Sequence, residues 1–307
     1  MDNRLGNQKS IAQSAIERET LEHIETLVRS NIKPLEVVPT SEEDLEIVRE
    51  ATLKINENLR YHRLPETLLS TSPKIVMARD GRIVVNSMTQ KTRQVEGMTL
   101  WFSDEILLGD QLRKDPSFYK HVVVHEGWHK ISDQSPRVVH ATGDFFAYLQ
   151  TGLHRQRVNQ SAQRISQHFW GLNEAITEKL TIETLREGIK GLEYAGYTHE
   201  RMVLDNILDK LSSNNLGERE ALWHVFVHGY INGDYSFLTD LDRFFGQGAL
   251  RVLAKLPPIQ RDGTGLAFRV GEYFSTQTTD SERLKIRDEI FQEPSGPITI
   301  IGGKIHR

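Results

Sequence analysis

Residues 115 to 133 read Asp115-Pro116-Ser117-Phe118-Tyr119-Lys120-His121-Val122-Val123-Val124-His125-Glu126-Gly127-Trp128-His129-Lys130-Ile131-Ser132-Asp133. The stretch is written as a helix: Asp115 can cap it, Pro116 suits the first helical position, and Phe118, Val122, Trp128 and Ile131 supply apolar packing surface. The β-branched run Val122, Val123 and Val124 weakens intrinsic helix propensity, so burial has to hold this helix. On it, His125 and His129 project about 40° apart around the axis and one turn apart along it, so both imidazoles reach one cation. Glu126 follows the first histidine directly and is aimed beside that cation, where a carboxylate takes a proton from metal-activated water. His125 and His129 are thus candidate metal ligands and Glu126 the candidate general base.

Downstream comes Trp170-Gly171-Leu172-Asn173-Glu174-Ala175-Ile176-Thr177-Glu178-Lys179-Leu180, a second amphipathic stretch with Glu174 and Glu178 one helical turn apart. The run Asn173 to Glu178, following His125-Glu126-Gly127-Trp128-His129, resembles the paired motifs of the gluzincin metallopeptidases, the thermolysin-like clan, and in particular its short, stripped-down members. The resemblance covers residues 73 to 255. It implies zinc as cofactor, a peptide or protein substrate, Glu174 as the third zinc ligand, and Glu178 as a carboxylate supporting one of the histidines, where the thermolysin branch usually has aspartate.

The chemistry is consistent on its own terms. Two neutral imidazoles and one carboxylate leave a fourth position for water, the mark of a catalytic zinc site. A carboxylate on the far ring nitrogen of a ligand histidine fixes its tautomer. The family also often carries a histidine or tyrosine beyond the third ligand that donates to the oxyanion of the tetrahedral intermediate. His224, His228, Tyr194, Tyr197 and Tyr230 are eligible by type, and no motif chooses among them. His224 and His228 stand four apart on an expected helix but lack an obvious third ligand for a metal of their own.

Composition narrows the alternatives. The chain has 307 residues, 38% hydrophobic and 26% charged, as an ordinary globular protein does, and its net charge of −4 gives no electrostatic reason to expect nucleic acid or an anionic membrane. It contains no cysteine, so any zinc must be held by histidine and carboxylate. No signal-type apolar core occupies the first thirty residues and no later stretch approaches a membrane-spanning run, which makes the cytoplasm the expected compartment.

Around the central motif, residues 8 to 31 and 41 to 59 read as two amphipathic helices that pack together, the second with Ser41 and Asp44 placed for a capping box. They offer a surface for a helix-mediated partner or self-association. Lys74 to Ala78 and Arg82 to Asn86 are short β-prone runs joined by Arg79-Asp80-Gly81, which predicts a hairpin. Met98 to Phe102 predicts a third strand; the resemblance implies an edge strand that binds extended peptide by strand addition, assigned to Thr99 to Ser103, the alternative being a buried strand. Residues 132 to 169 read as a polar connection with one more hairpin or irregular strand pair, the basic run His154-Arg155-Gln156-Arg157 within it reading first as a solvated loop and otherwise as a cluster suiting an acidic or C-terminal-carboxylate substrate. Tyr197 to Leu211, Glu218 to Ile231 and Phe237 to Leu256 read as helices, Ser281 to Phe291 as a short charged helix, and Pro297 to His306 as a terminal strand.

The expected fold class is α+β and zincin-like: a small antiparallel sheet over an active-site helix, with a mostly helical lower half. The expected division is an N-terminal helical hairpin over 1–62, a metallopeptidase domain over 63–256 and a C-terminal appendage over 257–307. The expected function is zinc-dependent peptide-bond hydrolysis. The alternative is a non-enzymatic, metal-stabilised module of the same fold, against which the presence of Glu126 argues, because a purely structural site needs no base.

Overall fold

The structure, a computed structural model, describes residues 17–27, 30, 32–66, 72–86, 91–99, 103–132, 134, 137–141, 144–158, 164–185, 196–213, 215–258, 265–291, 299–301 and 304–306. It is α+β, with small mixed and antiparallel sheets and a largely helical second half.

Helix α1, Glu42–Tyr61, opens with the capping box expected of Ser41: the Asp44 amide donates to Ser41 Oγ at 3.2 Å and the Ser41 amide to Asp44 Oδ2 at 2.7 Å. Its buried face, Val48, Ala51, Ile55 and Leu59, packs on helix α2, Pro116–Ile131, in the main core. Gly127 lets the two helices approach, since a Cβ there would stand 2.6 Å from Ile55 Cδ1. Asp115 caps α2 by accepting from the Ser117 and Phe118 amides, and Val122, Val123 and Val124 are 7%, 2% and 0% exposed. Burial supplies what their weak propensity does not.

Strands β1, Lys33–Pro34, and β2, Val37–Val38, precede α1; β3, Lys74–Ala78, β4, Arg82–Asn86, β5, Lys91–Gln94, β6, Gly97–Thr99, and β7, Glu105–Gly109, follow it. They form two sheets, ordered β1-β4-β5 and β2-β3-β7-β6. The hairpin expected across Arg79-Asp80-Gly81 is not formed. The turn has the positive φ that Asp-Gly favours, 51° at Asp80 and 64° at Gly81, yet it passes the chain from one sheet to the other. β3 pairs in parallel with β7, and β4 pairs with β1 and β5. β7 is interior, with Ile106, Leu107 and Leu108 fully buried, and β6 is an edge strand lying against α2.

Between the two motif helices runs a four-stranded antiparallel meander: β8, Arg137–Ala141, β9, Asp144–Thr151, β10, His154–Val158, and β11, Arg164–His168. One hairpin was expected in this region; there is a whole sheet. Its β9–β10 turn uses Gly152 at φ +55°. Ile24, on the helical stretch 17–27, packs with Ala147, Leu149 and Val158 of the meander, so the two N-terminal helices expected to pair are divided between two cores. Residues 1–16, 28, 29 and 31 of that expectation lie outside the described residues.

Helix α3, Trp170–Thr184, begins where Phe169, in the left-handed region at φ 58°, turns the chain out of β11. It packs on α2, and the helices below it pack on α3 or on one another in the same continuous core: α4, Thr198–Leu211, α5, Leu216–Asn232, α6, Leu241–Phe245, α7, Ala249–Ala254, α8, Leu266–Phe274, and α9, Asp280–Ile290. Ala267, Val270, Tyr273 and Phe274 of α8 are buried in that core, so the stretch read as an appendage contributes to it directly. β12, Thr299–Ile301, and β13, Lys304–His306, pair with each other. Among the described residues, no helix is long and apolar enough to cross a membrane.

Candidate metal centre

α2 and α3 meet so that His125, His129 and Glu174 face one another. His125 Nε2 lies 3.2 Å from His129 Nε2, and Glu174 Oε2 lies 3.3 Å from each. Tetrahedral zinc with bonds of about 2.0–2.1 Å sets its ligands roughly 3.3 Å apart, so the three atoms already have the separation that such an ion requires. Among the described residues these three form the one group of histidines and carboxylates whose ligand atoms converge in this way. All three side chains are about nine-tenths buried, and Trp170 Nε1 donates to the other Glu174 oxygen at 3.0 Å, leaving Oε2 as the inward atom.

Each histidine is held from behind. His125 Nδ1 donates to Glu178 Oε2 at 3.0 Å, an arrangement that frees Nε2 as a ligand. The Nδ1 of His129 faces the hydroxyls of Thr177 and Tyr230, at 3.4 and 3.5 Å, and the side-chain nitrogen of Asn173, at 3.4 Å. Asn173 is fixed in turn, its Oδ1 accepting from the Leu153 and His154 amides at the β9–β10 turn.

The electrostatics of the cluster are set by its carboxylates and imidazoles. Burial alone would push the His125 imidazolium down, but hydrogen bonds and charge from Glu174 and Glu178 outweigh it and raise its pKa to about 10. Burial likewise opposes ionisation of Glu174, and the charge of His129 with hydrogen bonds from both histidines holds its carboxyl well below the usual range. Glu174 thus places a buried negative charge where the two Nε2 atoms converge, a setting that suits a divalent cation.

Glu126 is beside this triangle and not a corner of it. Its Oε2 accepts from the Thr99 amide at 2.6 Å and lies 2.8 Å from Thr99 Oγ1, so the edge strand β6 holds the carboxylate. Gly97 allows the approach: a Cβ there would meet Val122 Cγ1 at 2.6 Å and Glu126 Cγ at 2.8 Å.

Of the five residues eligible as oxyanion donors, Tyr197 stands at the cluster. Its ring stacks on His125, with centroids 5.7 Å apart and planes 14° apart. The negative charge of Glu174, then burial and the charge of Glu126, push its phenol far above the ordinary value, so it remains protonated. Tyr230 is fully buried behind His129. His224 and His228 belong elsewhere: His224 Nδ1 is 2.8 Å from His62 Nδ1, His62 Nε2 is 3.1 Å from Glu183, and His228 Nε2 donates to the His62 carbonyl at 2.8 Å. They line a separate cavity of about 880 Å³ with Arg63 and Glu220. Tyr194 lies outside the described residues.

Two contributors were not read from the sequence. His121 donates to Glu178, 3.1 Å from Oε1, and its position four residues before His125 was a usable signal. Gly196 donates its amide to the same oxygen at 2.8 Å, and nothing in the sequence marked it. Comparison of the chain with protein-family models, with curated proteins and with solved structures gave no match.

Proposed function

We propose that the chain is a zinc-dependent peptidase of gluzincin type that hydrolyses peptide bonds in a peptide or protein substrate. The observation that carries this reading is the triangle of His125 Nε2, His129 Nε2 and Glu174 Oε2, with edges of 3.2, 3.3 and 3.3 Å, beside a carboxylate that is not part of it. When bound, zinc supplies a Lewis acid that polarises a carbonyl and brings the pKa of water toward neutrality.

The chain's own residues account for the remaining steps. Glu126, oriented by Thr99, takes the proton of the attacking water and passes it to the leaving amine. Tyr197, protonated and stacked on His125, is the donor for the developing oxyanion. β6 is the sheet edge beside Glu126, where an extended peptide can be added as a further strand.

The test is elemental analysis of wild type, His129→Ala and Glu174→Ala, together with cleavage of a mixed peptide library by wild type and Glu126→Gln. The expected result is near-stoichiometric zinc in wild type and loss in both ligand variants. Cleavage by Glu126→Gln should fall on the order of 10²–10⁴-fold with zinc retained. Zinc held in the same way without cleavage by wild type would leave the non-enzymatic metal-stabilised module. No metal in wild type after loading with zinc would overturn both.

A further inference from the structure

The stripe of α2 that carries His125 and His129 begins one turn earlier, with His121. This residue is 7% exposed, and no part of the zinc-binding pattern requires it. Its Nε2 lies 3.1 Å from Glu178 Oε1 and 3.3 Å from Oε2. Glu178, itself 1% exposed, receives a third donor in the Gly196 amide, 2.8 Å from Oε1, while Oε2 receives His125 Nδ1 at 3.0 Å.

A buried carboxylate that accepted only from His125 would be free to rotate about its own terminal bond, and glutamate has one more such bond than aspartate. Here two donors converge on Oε1, and His121 also reaches Oε2, so the carboxylate plane is fixed and the oxygen facing His125 Nδ1 is chosen. The contacts run in series, from His121 to Glu178, from Glu178 to His125 Nδ1, and from His125 Nε2 into the triangle with His129 and Glu174.

We propose that His121 is a positioning residue of the metal centre, acting through Glu178 to hold His125 in its ligating tautomer and orientation. This rests on the metal-site reading above. It assigns to a three-histidine stripe, with spacing His-x-x-x-His-Glu-x-x-His, a division of labour: two imidazoles bind and the third aims. Partners behind a ligand histidine typically change metal affinity on the order of 10- to 100-fold.

The experiment measures zinc affinity by competition with a chromophoric chelator for wild type, His121→Phe, His121→Gln and His125→Ala, with thermal melting of each metal-free protein. Phenylalanine keeps the ring and its stacking on Phe118, whose centroid is 6.5 Å away, but cannot donate. Glutamine places an N–H near the position of Nε2. The expected result is zinc binding weakened by about 10- to 100-fold in His121→Phe and restored to within a few-fold of wild type in His121→Gln. Wild-type affinity in His121→Phe would overturn the proposal. An equal loss in both His121 variants, tracking a lowered melting temperature, would also overturn it, because the role would then be structural. If wild type binds zinc no better than His125→Ala, the metal-site reading itself fails, and the proposal with it.

Discussion

Thr99 and Glu126 are joined through one oxygen: the Thr99 amide donates to Glu126 Oε2 at 2.6 Å, and the Thr99 hydroxyl lies 2.8 Å from the same atom. The proposed general base, Glu126, is therefore aimed by the sheet edge and not by its own helix. Thr99→Val keeps the shape and the amide and removes the hydroxyl. A hydrogen bond to a charged group contributes about 1.5–3 kcal/mol, so kcat for peptide cleavage should fall about 10- to 100-fold. Zinc content should be unchanged, which steady-state kinetics beside elemental analysis would check.

Gly97→Ala tests the same junction sterically. Its Cβ would meet Val122 Cγ1 at 2.6 Å and Glu126 Cγ at 2.8 Å, so β6 or the Glu126 side chain has to shift. Overpacking of this kind costs about 1–3 kcal/mol of stability, read from the urea midpoint. The loss in kcat/KM should exceed what that destabilisation explains, with zinc affinity close to wild type because no ligand is touched.

Two tyrosines should separate by what they control. Tyr197→Phe removes the phenol that stands beside Glu174 and Glu126, and kcat should drop on the order of 10²-fold with zinc content intact. Tyr230→Phe removes a hydroxyl 2.9 Å from Thr177 Oγ1 and 3.5 Å from His129 Nδ1. It should lower stability by about 1 kcal/mol and weaken zinc binding, with a smaller effect on kcat at saturating zinc. Kinetics and chelator competition on both variants distinguish the cases.

The metal-free protein should lose stability toward both acid and base. Although burial opposes it, hydrogen bonds from His121 and His125 hold the Glu178 carboxyl at about 2, below its ordinary 4.5. Its contribution is complete above about 4.5 and is lost as pH falls toward about 2. His125 is raised from 6.5 to about 10, so its contribution is present below 6.5 and is lost as pH rises through about 10. The two are linked, since Glu178 is one of the two carboxylates that raise His125, after Glu174, and His125 one of the two histidines that lower Glu178, after His121. Urea melts across this range should give a plateau, and Glu178→Gln should flatten the acid limb and reduce the basic one, which Glu174 also sustains.

The residues that make the centre were legible where their spacing matched a helix. His125 and His129 share a face of an α-helix, so one period carried that pair from sequence to geometry, whereas Glu174 and Glu178, one turn apart, were assigned through the resemblance to the gluzincin motifs. His121 obeys the same period and was missed because the reading stopped at the five-residue motif. Asp80-Gly81 was read correctly as a turn and wrongly as a hairpin. Positive φ is a local property, whereas the choice of β7 as partner for β3 depends on a buried run, Ile106 to Leu108, that acts at a distance. The meander β8–β11 was underread because basic and polar residues at alternate positions, such as Arg155 and Arg157, gave no apolar alternation along β10. The packing of α8 into the core was hidden behind Pro257-Pro258, which reads as a boundary.

Asn173 touches two places at once. Its carbonyl holds the amides of Leu153 and His154, its nitrogen lies 3.4 Å from His129 Nδ1, and a Cβ at Gly152 would intrude within 2.6 Å of its Oδ1. The tip of the β9–β10 hairpin, where Gly152 and Leu153 are buried, is for this reason a poor site for a graft, a tag or an inserted loop. A change of length there would be transmitted through one amide side chain to His129, a proposed metal ligand.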